Sequence, residues 1–303
     1  MVGVAAAIAV VVLSALVSQV VPGKSGHVDT AAAFARAPGP YEGLGAWVDM
    51  YSWSNTFTGG APRFGLADID AMAAAGVQTL YIQAASQTGP ATVLEPDVLV
   101  PLIRRAHHAR MSVVVWYLPT LVNLADDMAR FLEIARLPAD GVAVDIESTD
   151  IADVGHRNAA LISLSQQLRF ALPGRPLGAI VLPATLLEVV NPNYWPDFPY
   201  VALAPSYDAW LPMVYWTDRL TSSGFRDAYR YTVDSVRRLR HDLGAAARAP
   251  VNPIGGVSVD GIGIGDMSGF VNAAKDTASV GGSIYEWPGT DAAAWPVLRA
   301  LRA

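Results

Sequence analysis

From Tyr41 onward the chain repeats one pattern, a short apolar run rich in β-branched residues followed by a longer stretch with helical spacing. The short runs are Leu44–Tyr51, Thr79–Ala84, Ser112–Leu118, Gly141–Ile146, Pro176–Leu182, Ala209–Trp216, Pro250–Ser258 and Gly281–Trp287. Helices are expected over Leu66–Gly76, Asp97–Ala109, Leu124–Arg136, Arg157–Leu172, Ala228–Gly244 and Asp266–Ser279, with Asp291–Arg302 closing the chain. After the fifth run comes a longer, aromatic-rich connection around "NPNYWPDFPY". Strands separated by helix-sized crossovers pair in parallel, because antiparallel neighbours need only a tight turn. Eight such units over about 260 residues predict a single α/β domain, a (β/α)8 TIM barrel. A doubly wound open sheet competes with it. That fold normally uses fewer strands, and a dinucleotide-binding one carries a glycine-rich fingerprint after its first strand; "YSWSNTFTGG" is not one.

Composition narrows the chemistry. With 52% hydrophobic residues among 303, the chain can bury one large core. A net charge of -6 and a pI of about 5.3 speak against nucleic acid as a partner. Cysteine is absent, which excludes disulfides, thiolate metal sites and a cysteine nucleophile. The five histidines show no metal-binding spacing, so no metal and no cofactor is expected.

The first 40 residues differ from the rest. Val2–Val21 is a nearly unbroken apolar run, just long enough to span a bilayer, and residues 22–40 have the Pro/Gly/Ala-rich look of a linker. The expected division is a signal peptide or membrane anchor at 1–21, a linker at 22–40 and the barrel at 41–303. Small residues at Ala33 and Ala35 suit a signal-peptidase site. Lys24 and Arg36 follow the run and no basic residue precedes it, which taken alone disfavours export. The expectation is nevertheless an exported protein, secreted or membrane-anchored, and monomeric.

Barrel active sites sit at the C-terminal ends of the strands. There the first strand delivers Asp49, Tyr51 and Trp53, the second Gln83, and the third Trp116 and Tyr117. The fourth delivers Asp145 and Glu147, the sixth Tyr215, Trp216 and Asp218, and the eighth Tyr285, Glu286 and Trp287. The seventh offers only Asn252 and, further out, Asp260. A mouth rich in aromatics and acids and poor in cations suits carbohydrate, since aromatic rings stack on pyranose faces and carboxylates do acid/base work. The substrate-binding candidates are Asp49, Trp53, Gln83, Trp116, Trp216, Asp218 and Trp287. Each aromatic taken singly has core packing as its ordinary alternative.

Asp145 and Glu147 are two apart on a strand, hence on one face and about 6 to 7 Å apart along it. A like charge and apolar walls both raise a carboxyl pKa, which suits Glu147 to the role of general acid. A structural pair tied to backbone amides or an arginine stays open from these two acids alone.

"DGVAVDIE", Asp140 to Glu147, resembles the fourth-strand signature DGxDxDxE of family 18 glycoside hydrolases, the chitinase-like barrels. "LPMVYW" is similar to the family's sixth-strand MxY element, placing Tyr215, and "GGSIYEW" to its eighth strand, placing Trp287. The resemblance implies that Glu147 protonates the glycosidic oxygen. Asp145 would steady an N-acetyl group whose carbonyl oxygen is the nucleophile, Tyr215 would hydrogen-bond that carbonyl, and Trp287 would floor the sugar subsite. Ala143 departs from the signature, where the family has an aspartate that shares a proton with its neighbour. The chain also resembles exported bacterial barrels of glycoside-hydrolase type, for which Glu286 is a further candidate acid. The expected activity is hydrolysis of a polysaccharide, one with N-acetylhexosamine units in view. The alternatives are a carbohydrate-binding barrel without catalysis and a scaffold for other envelope proteins.

Overall fold

The computed structural model describes residues 38–256 and 263–303. The export segment, most of the linker and Asp260 lie outside the described residues. Eight strands form one parallel sheet: β1 Gly43–Val48, β2 Thr79–Gln83, β3 Ser112–Tyr117, β4 Gly141–Ile146, β5 Leu177–Val181, β6 Ala209–Pro212, β7 Ile254–Gly255 and β8 Gly281–Ile284. Their order around the sheet is β6-β5-β4-β3-β2-β1-β8-β7. The last seam, between β6 and β7, is made by the isolated bridges Trp210–Val251 and Met213–Ile254. The result is a nearly closed (β/α)8 barrel. The outer layer holds α1 Met50–Trp53, α2 Asn55–Thr58, α3 Leu66–Ala75, α4 Pro96–His108, α5 Leu124–Ile134, α6 Val154–Ala171, α7 Tyr200–Leu203, α8 Ala228–Asp242, α9 Ile264–Asp276 and α10 Trp295–Leu298.

Local chemistry sets most boundaries. Gly76 ends α3 at φ 96°, a conformation that costs glycine little. Asn123, Asp153 and Asp227 cap α5, α6 and α8 by accepting from backbone N–H groups of the first turn. The Asp153 cap starts α6 three residues before the expected Arg157. β7 shrinks to two residues because Pro250 and Pro253 cannot donate to a ladder. The expected closing helix at Asp291–Arg302 is instead α10 flanked by two 3-10 turns, with Pro296 in its first turn. Every strand residue except Ser112 is buried, as a parallel sheet covered on both faces requires.

Parallel register puts Gly45, Trp47, Tyr81, Val114, Trp116, Ala143, Gly178 and Ser283 on the inward face. Trp47 stacks on Tyr81 with ring centroids 4.2 Å apart, and meets Trp116 edge-on at 5.9 Å. Its indole N–H donates to Ser283 Oγ at 2.9 Å. These large rings fit because small residues face them: a Cβ on Gly45 would lie 2.5 Å from the Tyr81 ring. At the opposite end from the strand tips, the Tyr41 hydroxyl donates to Val142 O at 2.8 Å and Pro176 O at 3.1 Å. A Cβ on Gly178 would come within 2.7 Å of the Tyr41 ring. Gly178→Ala is therefore expected to cost about 1–3 kcal/mol of stability through overpacking. Urea denaturation measures it, and an unchanged midpoint would mean that the Tyr41 ring is not confined there.

Candidate active site

The strands end in a cleft of about 320 Å³ at the barrel mouth. Its chemistry comes from Asp49 after β1, Gln83 and Trp116 at the tips of β2 and β3, Asp145 on β4 and Glu147 just after it, Tyr215 after β6 and Tyr285 after β8. Tyr51, at the start of α1, forms part of the rim.

Asp145 ends the inward face of β4, in register with Ile180, and is only 7% exposed. Its Oδ1 is buried without a hydrogen-bond partner. Glu147 stands one residue beyond the strand and is half-buried. Among the described residues no cation pairs with either carboxylate; the ion pairs of the fold lie elsewhere. Burial, and then the neighbouring Glu147 charge, push the Asp145 carboxyl well above the usual carboxylate range. Burial raises the Glu147 carboxyl as well.

Two tyrosines face this pair. Tyr215 and Tyr285 have ring centroids 6.0 Å apart. Burial raises the Tyr215 phenol, with Tyr285, Asp145 and Glu147 adding to it, so the hydroxyl stays protonated as a donor. Tyr285 donates to Asp49 Oδ2 at 2.7 Å, which leaves Asp49 Oδ1 buried and unpaired. Gln83 is occupied with backbone: Oε1 accepts from Met50 N at 3.1 Å and Nε2 donates to Ala85 O at 3.3 Å. The Trp116 indole nitrogen is buried without a partner.

Asp145, Glu147, Tyr215, Asp49, Gln83 and Trp116 thus share one cleft, while five other sequence candidates do not line it. Trp53 is fully buried, its N–H donating to Gln83 O at 3.1 Å, so it props the cleft wall from behind. Trp216 is buried against Phe270 at 5.6 Å. Asp218 is exposed on the 3-10 turn that follows. Trp287 packs on Trp295 at 4.7 Å with its N–H toward Asp68, because the chain leaves the sheet after Ile284 and turns at Trp287–Gly289. Tyr285 stands at the cleft where Trp287 was expected. Glu286 accepts from Ser52 Oγ at 3.1 Å and lies 3.9 Å from an Arg63 nitrogen, away from the cleft. Strand parity held the signal for Tyr285: Ser283 faces inward, so the residue two further on does too. Two larger cavities, beside Tyr200 and beside Trp295, lie apart from these acids.

No protein-family model matches this sequence, and no curated protein is significantly similar to it. Solved structures share its fold. The spore cortex-lytic enzyme SleL of Bacillus cereus is 9% identical with a TM-score of 0.63, covering 86% of this chain and 74% of its own. A chitinase from Chromobacterium violaceum is 12% identical with a TM-score of 0.56, covering 86% and 99%. A family GH18 chitinase from Cycas revoluta, complexed with allosamidin, is 12% identical with a TM-score of 0.60, covering 85% and 98%. The chain shares with these enzymes the (β/α)8 barrel fold.

The raised carboxyls link the site to stability. A carboxyl whose pKa is higher folded than unfolded destabilises the fold as pH rises between the two values, and contributes nothing below both. Asp145→Asn removes that penalty. The variant is expected to be more stable than the parent at pH 7, by on the order of 1 kcal/mol, with the gain vanishing near about pH 3. Thermal melts across this range test it; a gain that grows on acidification would contradict the buried, partnerless carboxyl.

Proposed function

We propose that the protein is a glycoside hydrolase acting on a polysaccharide with N-acetylhexosamine units, with Glu147 as the general acid. One observation carries this reading: two neighbouring carboxyls on one strand face, without a cationic partner among the described residues and held toward their protonated forms, in the cleft at the barrel mouth. A carboxylate nucleophile has to attack the sugar from the side opposite the acid. Asp145 comes from the same strand end as Glu147, two residues before it, and is poorly placed for that. The substrate's own N-acetyl carbonyl oxygen fits the role better. Glu147 then protonates the leaving oxygen as the glycosidic bond breaks, and the carbonyl oxygen bonds to the anomeric carbon. Asp145 accepts the amide N–H and Tyr215 donates to the carbonyl. Water afterwards opens the intermediate, giving its proton back to Glu147. The chitinase-like fold supports the same substrate class, and the Cycas revoluta chitinase has been seen with (GlcNAc)4.

Ala143 favours the second reading, a carbohydrate-binding barrel without turnover. It is fully buried beside Trp116 and Gly178, so nothing acidic occupies the position below Asp145. Glu147 is then the acid that acts on Asp145 by charge. This leaves one tuning carboxyl where the resembling family has two. Export is proposed as well, supported by the apolar run Val2–Val21.

Glu147→Gln separates the readings. A hydrolase is expected to lose about 10²–10⁴-fold in kcat while retaining oligosaccharide affinity. Its parent rate should fall as pH rises through the raised Glu147 pKa. A wild-type protein that binds chito-oligosaccharides and releases no product would leave the binding barrel standing and remove the hydrolase.

A further inference from the structure

We propose that Tyr51 is a stacking platform for a sugar ring beyond the reacting bond, and that Glu95 is the positioning residue that holds it there. The inference rests on the carbohydrate reading above and extends it to the length of substrate that the cleft measures. A single exposed aromatic means little. Tyr51, however, is 57% exposed and belongs to the same cleft as the acid pair. The other cleft aromatics, Trp116, Tyr215 and Tyr285, are buried or half-buried.

The segment carrying Tyr51 is too short to hold itself. α1 and α2 have four residues each, well below the length at which helices are stable alone. Order comes from outside: Gln83 and Glu286 hold α1 through Met50, Trp53 and Ser52, and Glu95, just before α4, holds the start of α2. Glu95 Oε1 accepts from Ser54 Oγ and from Thr56 N at 2.8 Å, and its Oε2 accepts from Asn55 N at 3.0 Å and Asn55 Nδ2 at 3.1 Å. Burial opposes ionisation of this carboxyl, but the donors outweigh it and hold the pKa down at about 2. The clamp is therefore charged at any working pH. Glu95 adopts φ 31° to reach this position, a conformation that non-glycine residues rarely take. The clamped turn places Phe57, whose ring meets Tyr51 edge-on at 5.7 Å and 87°. Phe57 thus braces the Tyr51 ring at a right angle, and Tyr51 keeps more than half of its surface exposed. An uncharged aromatic face beside an acid-lined cleft fits the C–H face of a neutral pyranose.

The test is calorimetric titration of the non-hydrolysing Glu147→Gln protein with N-acetylglucosamine oligomers of two to six units. Adding Tyr51→Ala is expected to weaken binding of the longest oligomers about tenfold and to leave the disaccharide within about twofold. Tyr51→Phe should retain affinity. Glu95→Ala should give a smaller, length-dependent loss, and adding it to Tyr51→Ala should cost nothing further, because it acts through that ring. Equal losses at every length, or none, would overturn the platform while the carbohydrate reading stands. Additive losses would overturn the positioning role of Glu95. If no oligomer binds the Glu147→Gln protein, the carbohydrate reading itself falls, and the platform with it.

Discussion

The barrel depends on how its interior is filled. Trp47, Tyr81 and Trp116 form one aromatic cluster across three adjacent strands, fastened to β8 by the bond from the Trp47 indole to Ser283. Such rings each bury a large apolar area inside the barrel. Small residues share the same inward face: Gly45 lies against the Tyr81 ring, Ala143 is in register with Trp116, and Gly178 lies against the Tyr41 ring. A one-residue slip of any strand would turn these small residues outward and drive side chains into the rings.

The same filling governs the acids. The interior beneath the mouth is packed with apolar side chains, so charge is tolerated best at the last inward position of a strand. Asp145 takes that position on β4, with apolar Ala143 two residues below it and Glu147 two residues above. With no arginine paired to them among the described residues, burial is free to raise both carboxyls. Asp49 differs in having a partner, since the Tyr285 hydroxyl donates to its Oδ2.

The rim is built differently from the floor. The floor belongs to the strands, whereas the wall near Tyr51 belongs to short helical turns held by Glu95 and backed by Trp53 and Gln83. Trp53, Trp216 and Trp287 share the composition of sugar-binding residues and lie near strand ends in the sequence, yet each is spent on packing. Residue type alone does not separate an aromatic that supports a wall from one that forms it.

Periodicity by itself determined eight strands in parallel, six of the long helices nearly to their ends, and the placing of Asp145 and Glu147 on one face, because these follow from spacing and from capping residues a few positions away. Motif order pointed to the chitinase-like barrel for the same local reason. What happens past each strand was decided only by tertiary structure. The chain's turn after β8 sent Trp287 to Trp295 and left Tyr285 at the cleft. The lack of a cationic partner for Glu147 among the described residues, and the reach of Glu95 across 41 residues to Ser54, depend on which loops come to lie side by side, and no local spacing encodes that.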